Sequence, residues 1–431
     1  MLAPRLPWPT WQGTALRNLN ILLHLAERHA LTLLCFAEPG ATPGPLAEAG
    51  IEIIGLPPPA PRPVWRRLLD LPGRLEPDLV RRLDSPAMEA AIAALVAREA
   101  GGPGYDGLQI EGMEMAAFGL RAQAGLARVQ ARPPRLVYDA HNAEWLLQDR
   151  AWRADLRRPP KGWVGAAYSL AQTAKIRRYE GRLLAAADAT VAVSRADAAA
   201  LAPLAPEARF VVVPNGVDVE AYPVADPDAV EPGLVVFTGK MDFRPNVDAM
   251  TWFCQAVWPR VRAGRPEARL AIVGRDPSPR VRALASAQAG VEVTGAVPDV
   301  RPWIARAGLV VVPLRVGGGT RLKVLEAMAM GKALVASTLA VEGLDLRPGL
   351  ELAQADDATA MAEAILTLSR DPARRAALGT AARARAEADY RWSVLVPRIE
   401  ALYADPPGRL PTSGSAAAGS SEPAGHRADG R

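Results

Sequence analysis

The sequence predicts an α/β protein assembled from two successive runs of parallel strands and helices. Three observations carry this. Short apolar runs of strand length recur along the chain, separated by segments with helical periodicity. The series breaks over residues 217–232, a linker-like stretch with several prolines, and restarts at Leu234. Residues 309–337 read in unbroken order as strand, glycine loop, helix and strand. With 431 residues the chain has room for two or three domains, and 49% hydrophobic against 23% charged residues supplies a large core and excludes global disorder.

In the first run only a fragment of a core strand precedes Pro4, so either the chain starts upstream or this strand is short. Gly13 precedes a helix over residues 14–29 with Leu16, Leu19, Leu22, Leu23 and Leu25 as its apolar stripe. Strands follow at 31–36 and 51–54, then an Arg- and Leu-rich amphipathic stretch at 64–83 that reads as a surface helix pair or a membrane-surface contact, a helix at 87–100 and a strand at 108–110 ending at Glu111. The strand at 135–138 ends in Asp139-Ala-His141-Asn142. Polar groups at a strand's carboxyl end lie where open α/β sheets bind ligands. Residues 148–182 mix Trp152, Trp163 and Tyr168 with Arg153, Arg157, Arg158, Lys161, Arg177 and Arg178, a pattern of solvated helix faces or of a phospholipid surface. A strand at 189–193 with Ser194 as helix cap and one at 209–213 close the run.

The second run has strands at 234–237, 270–273 and 291–294, followed by Gly239-Lys240, Gly274 and Gly295 respectively. Then 309–312 forms a strand buried on both faces. Gly317, Gly318 and Gly319 remove every Cβ from the next turn, Thr320 caps a helix over 321–330, and Gly331 ends it. A glycine loop feeding a helix N-terminus is an anion site. Arg321 and Lys323 place two cations in that first turn, where the helix dipole disfavours them, which points to a negative ligand. Glu326, one turn on, is placed to bond sugar hydroxyls. The loop is neither a P-loop nor a dinucleotide G-x-G-x-x-G. Helices at 359–368, 373–388 and 392–403 complete the chain before a Gly/Ser/Pro/Ala tail from Asp405 that cannot bury a core.

The net charge of +5 suits an anionic ligand or membrane surface and is too small to argue for nucleic acid. Basic residues are almost all arginine, so the five lysines stand out, and two of them, Lys240 and Lys323, flank glycine loops. Cys35 and Cys254 have no metal or redox spacing, which fits a reducing compartment. No signal-peptide pattern opens the chain, and no apolar run is long enough to span a bilayer. Asp226-Pro-Asp228 has the D-x-D form of a metal motif but reads as a solvated turn among prolines.

Several of these motifs fall in the order of one family. Pro214-Asn-Gly-Val-Asp218, Phe237-Thr-Gly-Lys240, Met241-Asp-Phe-Arg-Pro-Asn246, Gly317-Gly-Gly-Thr-Arg321 and Glu326-Ala-Met resemble family-4 glycosyltransferases, with Asp139 to Asn142 similar to the Asp-x-His-Asn of a bacterial polysaccharide- and exosortase-associated subgroup. The resemblance covers nearly all of residues 1–404. It implies the GT-B fold: two doubly wound, Rossmann-like parallel-sheet domains facing each other across a cleft. Residues 1–216 would be the acceptor domain, 217–232 the linker, 233–389 the nucleotide-sugar domain, 390–404 a helix returning to the first domain and 405–431 a disordered tail.

The activity implied is retaining, metal-independent transfer from a nucleotide-diphosphate sugar to a saccharide or lipid-linked saccharide acceptor in cell-envelope or exopolysaccharide synthesis. It would take place in the cytoplasm or peripherally at the inner membrane face, on an anionic surface, with no cofactor. His141, Lys240, Arg321 and Lys323 take catalytic roles. Gly239, Arg244, Gly274, Val297, Gly317, Gly318, Gly319, Thr320 and Glu326 bind donor, and Gly13, Glu111, Asp139 and Asn142 bind acceptor. Gly318 stands where the family has the first glutamate of E-x7-E, so the donor sugar is not carried over. A nucleotide-sugar epimerase of the same fold, or a non-catalytic nucleotide-sugar-binding partner of a polysaccharide assembly, are the alternative readings.

Overall fold

The computed structural model describes residues 1–10, 13–156, 163–317 and 322–404. Gly318, Gly319, Thr320, Arg321, Arg157, Arg158, Lys161 and the tail from Asp405 lie outside them. Two all-parallel sheets organise the chain. The first holds β1 (Leu2–Ala3), β2 (Thr32–Phe36), β3 (Glu52–Leu56), β4 (Gly107–Glu111), β5 (Arg135–Ala140), β6 (Ala189–Ala192) and β7 (Phe210–Val212) in the order β3-β2-β1-β4-β5-β6-β7. The second holds β8 (Glu231–Thr238), β9 (Arg269–Val273), β10 (Val291–Gly295), β11 (Ala307–Val312), β12 (Leu334–Ala336) and β13 (Ala353–Gln354) in the order β10-β9-β8-β11-β12-β13. The strand order turns between β1 and β4 in one sheet and between β8 and β11 in the other. Crevices open at the carboxyl ends of such strand pairs.

The burial patterns explain the parallel pairing. β11 is buried at every position and β4 and β5 at nearly every one, because helices cover both faces. Between β11 and β12, Gly331 takes φ 65° and ends the helix Leu322–Ala329, with Lys332 N donating to Ala327 O at 2.9 Å.

Three expectations are corrected. The first helix, Gly13–Ala26, buries Ala15, Arg17, Asn18, Leu19, Ile21, Leu22 and Leu25, whereas Leu16 and Leu23 are only half-buried. The buried face therefore carries two polar side chains that a purely leucine stripe omits. The stretch 64–83 forms a helix pair as expected, Val64–Gly73 and Asp78–Arg81. The helix at 373–388 is the α-helix Pro372–Arg385 followed by a π-helical turn, Ala386–Tyr390. Residues 217–232 are not a free linker. Val217 and Val219 are buried in the core of the second domain, Ala225 N donates to Met330 O at 3.3 Å, and β8 begins within the stretch at Glu231. Arg383 donates to the carbonyls of Val219 and Tyr222, at 3.1 and 2.8 Å. Apolar side chains set among prolines here pack against the second domain instead of spanning solvent.

The last helix, Trp392–Ala404, packs on the first domain: Trp392, Leu395, Val396, Ile399 and Leu402 share a core cluster with Ile21, Val137, Val191 and Val213. Arg28 and His29 hold Glu400 of that helix at 2.5 and 2.7 Å. The chain therefore crosses between domains twice, and the crossings touch where Val217 N donates to Tyr390 O at 2.8 Å.

Candidate active site

In the second domain, Gly239 follows β8 and Gly274 follows β9. Their φ angles are 153° and 152°, and a Cβ on Gly274 would lie 1.7 Å from Gly239 O, so the two turns touch backbone to backbone. Over this floor lies the Lys323 ammonium, 2.9 Å from the position of a Gly239 Cβ. Lys323 Nζ donates to Asn246 Oδ1 at 2.7 Å and lies 4.1 Å from the centre of the Phe237 ring. Asn246, almost fully buried, donates in turn to Lys240 O at 2.8 Å. An acceptor and an aromatic face thus offset the unfavourable dipole at the start of the helix Leu322–Ala329. Asn246 was not singled out from sequence; its place three residues after Phe243 at a helix start was the available signal.

The other expected donor residues surround this point unevenly. Lys240 is half-exposed, with Nζ 2.8 Å from Asp242 and 3.7 Å from Asp276, and the hydrogen bond with Asp242 pushes its pKa up. A diphosphate meeting Lys240 must displace a carboxylate. Pro245 packs on Gly317, Arg244 is exposed, and Val297 is half-buried against the core. Glu326 Oε1 accepts from the Tyr222 hydroxyl at 3.0 Å. Burial drives the Glu326 carboxyl upward in pKa, against the Tyr222 hydrogen bond and the Lys323 charge.

In the first domain, β4 and β5 deliver Glu111, Asp139 and His141 to adjacent strand ends. His141 Nε2 and Glu111 Oε2 are 2.8 Å apart. With its amide oriented to satisfy its neighbours, Asn18 donates to Glu111 Oε2 at 2.8 Å and to Thr14 O at 3.1 Å. Gln109 Nε2 donates to Glu111 Oε1. Arg17 Nε and Nη2 lie 3.0 and 2.9 Å from Asp139 Oδ2, while Nη1 donates to Val213 O and Pro214 O at 3.1 Å each. Arg17, Glu111 and Asp139 are buried completely or nearly so.

Glu111 and Asp139, expected at the acceptor, are buried beneath the surface, where they hold His141 and Arg17. His141 is the group of this cluster that reaches partial exposure. Burial by itself depresses the imidazolium, but the Glu111 hydrogen bond and the charges of Glu111 and Asp139 outweigh it and hold the pKa of His141 above its ordinary value. Burial likewise pushes the Asp139 carboxyl up, opposed by Arg17.

Ligand atoms of Glu111, Asp139 and His141 lie within 4.8 Å of one another, a spacing a metal ion can use. Nε2 of His141 meets Glu111 and Oδ2 of Asp139 meets Arg17. Asn142 lies beside them on a crevice shared with Arg150, Ser194, Asn215, Glu342 and Gly343. Arg150 reaches Glu342 of the second domain at 3.5 Å. The N-terminus of the helix Glu144–Leu156 is set by the buried Glu180, which accepts from Glu144 N and Trp145 N at 3.1 and 3.2 Å. Burial pushes the Glu180 pKa up to about 8. Gly13 begins the first helix, behind Arg17 and Asn18.

Two doubly wound domains, with an arginine- and histidine-bearing site in one and a lysine laid over a glycine turn in the other, define a GT-B protein. Family models agree: Glycosyltransferase Family 4 matches residues 11–221 and Glycosyl transferases group 1 matches residues 232–371. The chain belongs to glycosyltransferase family 4.

Among curated proteins it is 28% identical over 220 residues to a GDP-mannose-dependent monoacylated alpha-(1-6)-phosphatidylinositol monomannoside mannosyltransferase of Corynebacterium glutamicum, covering 46% of this chain and 57% of that protein. It is 27% identical over 237 residues to a phosphatidyl-myo-inositol mannosyltransferase of Propionibacterium freudenreichii, covering 52% and 57%. The matched stretches thus span little more than half of these relatives. Among solved structures, Anabaena HepE in complex with UDP and glucose superposes with a TM-score of 0.63 at 16% identity, over 94% of this chain and 98% of that one, a likeness of fold.

Proposed function

We propose that this protein transfers a hexose from a nucleotide-diphosphate sugar to a saccharide or lipid-linked saccharide acceptor in cell-envelope or exopolysaccharide synthesis. The observation that carries the reading is Lys323, held by Asn246 and Phe237 over the Gly239 turn at the switch point of the second sheet. Breaking the anomeric C–O bond pushes charge onto the departing diphosphate, and a cation fixed in advance stabilises that charge without reorganising. Lys240 and Arg321 would add to it, and the turn amides would supply fixed dipoles. Glu326, oriented by Tyr222, would bond the ribose hydroxyls. In the first domain His141 would orient a donor or acceptor hydroxyl near the anomeric carbon, with acceptor attack on the face the diphosphate leaves, so that configuration is retained. The relatives named as mannosyltransferases on phosphatidylinositol lipids, and the structure with bound UDP, support a nucleotide-sugar donor and an envelope acceptor. A thermal-shift screen of nucleotide sugars followed by product analysis tests it. Donor hydrolysis or isomerisation with no acceptor product would overturn it.

Metal independence belongs to the same proposal, because Lys323, with Lys240 and Arg321, would supply the cationic charge that the diphosphate needs. Transfer is expected to keep its full rate in excess chelator. Loss of activity on chelation, restored by manganese or magnesium, counts against these assignments.

The membrane is the second proposed partner. No helix among the described residues is long and apolar enough to cross a bilayer. Yet the helix Val64–Gly73 exposes Trp65 (58%) and Leu69 (69%), and the helix Trp163–Ala186 exposes Trp163 (59%) and Leu170. The two helices are tied together by Lys175 Nζ donating to Leu71 O at 2.6 Å and by Arg67 donating to the Tyr168 hydroxyl at 3.4 Å. Exposed tryptophans between arginines suit a headgroup layer. Vesicles containing anionic lipid are expected to bind the protein at low salt and release it at high salt. Equal binding to neutral vesicles would argue against this surface.

A further inference from the structure

We propose that Tyr403, on the last helix, is a positioning residue for His141, acting through Gln109 and Glu111. The Tyr403 hydroxyl donates to Gln109 Oε1 at 2.7 Å, Gln109 Nε2 donates to Glu111 Oε1, and Glu111 Oε2 meets His141 Nε2 at 2.8 Å. The proposal rests on the reading of His141 as a residue of the transfer site.

A primary amide accepts at one end and donates at the other. Which end of Gln109 faces Glu111 therefore decides whether that carboxylate meets a donor or a second oxygen. The Glu111 carboxylate, an acceptor only, takes the NH2 end, and the Tyr403 hydroxyl completes the arrangement by donating to the carbonyl end that is left. Burial pushes the pKa of the Tyr403 hydroxyl well up, so it remains a donor across the working pH range. Gln109 and Glu111 are buried, and the Tyr403 ring packs on the backbone of Gly107, where an added Cβ would lie 2.3 Å from the ring. An amide turned the wrong way would therefore be costly and uncompensated by solvent.

Placement explains why this tyrosine matters. The last helix crosses from the second domain, and its position on the first sheet is fixed by its apolar face and by Arg135 donating to Leu402 O at 3.2 Å. Seating of the returning helix is thus read at Gln109 and passed to the imidazole. Other charged groups that face His141 are Asp139 on its own strand, Arg17 on the first helix and Glu144 on the following helix. None of these touches Tyr403 through Gln109, so the relay is separable from them.

The test uses the full chain and the ring signals of its four histidines, His24, His29, His141 and His426, in an NMR pH titration. Gln109→Leu removes a donor that stabilises the Glu111 charge, and Tyr403→Phe weakens that donor by leaving the Gln109 carbonyl unpaired, so in both the proton affinity of the His141–Glu111 pair rises. The His141 midpoint is expected to move up by about half a pH unit, a threefold change in proton affinity. His29 is the internal control, since its Nε2 meets Glu400 on the same helix at 2.7 Å and reports whether that helix stays seated. Its ring signals at fixed pH are expected to stay in place. The kcat for transfer falls roughly ten- to a hundredfold with little change in donor KM, the mark of a misplaced group. Tyr403→Phe is expected to have no further effect on a His141→Ala background. A His141 midpoint that stays put in both variants, or that moves only together with His29, overturns the relay. The shift of His141 in a protein that transfers no sugar would leave the relay standing and sink the transferase reading instead.

Discussion

Lys323→Ala is expected to slow single-turnover sugar transfer by roughly 100- to 1,000-fold, equivalent to about 2.7–4 kcal/mol of lost transition-state stabilisation. The effect concentrates in kcat because the diphosphate carries its full charge only as the glycosidic bond breaks. Donor KM should change much less. From the sequence alone, a cation opposing a helix dipole is dispensable to the fold. The structure alters that expectation. Lys323 Nζ is the partner of Asn246 Oδ1, and Asn246 is almost fully buried. Alanine strands that oxygen, at a cost of roughly 1–3 kcal/mol of stability. A lowered melting temperature is therefore expected beside the loss of rate.

Lys323→Gln separates the two effects. Its amide can return a hydrogen bond to Asn246 without supplying charge, so melting should recover more than the rate does. A Lys323→Gln enzyme with normal turnover would place the phosphate site elsewhere. Lys240→Ala is expected to cost less, because the Lys240 ammonium is half-exposed and shared between Asp242 and Asp276.

The two sheets were legible in the sequence because parallel strands buried on both faces are nearly continuous apolar runs, as at Leu309 to Val312. His141 and Lys323 were legible for a related reason: each breaks the local pattern at a strand or helix end. The partners that give them meaning were not. Arg17 is 122 residues from Asp139, and Tyr403 is 294 residues from Gln109. No local periodicity encodes such pairs. The burial of Glu111 and Asp139 was not legible, because polarity at a strand end looks the same whether the side chain meets water or a buried guanidinium. Arg17 itself carried a signal, lying one turn before Ile21 and two before Leu25 on the buried face, where a charge demands a partner. The stretch 217–232 was misread because prolines dominated Val217, Val219 and Tyr222, whose packing depends on Met330 and Arg383 far along the chain.

Arg17→Leu is expected to destabilise the protein by roughly 3–5 kcal/mol, the cost of leaving one member of a buried ion pair without the other. Arg17 and Asp139 are 1% and 0% exposed, so water cannot replace the lost guanidinium. Asp139 would then share the interior with Glu111 and keep only the His141 imidazole as a cationic neighbour, and the carbonyls of Val213 and Pro214 would lose their donor. The pH dependence has a definite sign. Burial already raises the Asp139 pKa, against the Arg17 charge, and removing Arg17 raises it further. A carboxyl whose folded pKa is raised binds its proton more tightly in the folded state. Its effect on stability is therefore least harmful below the unfolded value, and stability falls as pH rises toward the folded value. Arg17→Leu should accordingly be destabilised less at pH 5 than at pH 8. The double variant Arg17→Leu/Asp139→Leu removes the stranded charge and should regain more than half of the loss, since an apolar pair of similar size often replaces a buried ion pair at little cost. Thermal melts of the four proteins at the two pH values provide the measurement. An Arg17→Leu melt equal to wild type at pH 8, or a double variant no better than the single one, would show that the pair is not what holds β5 and the first helix together.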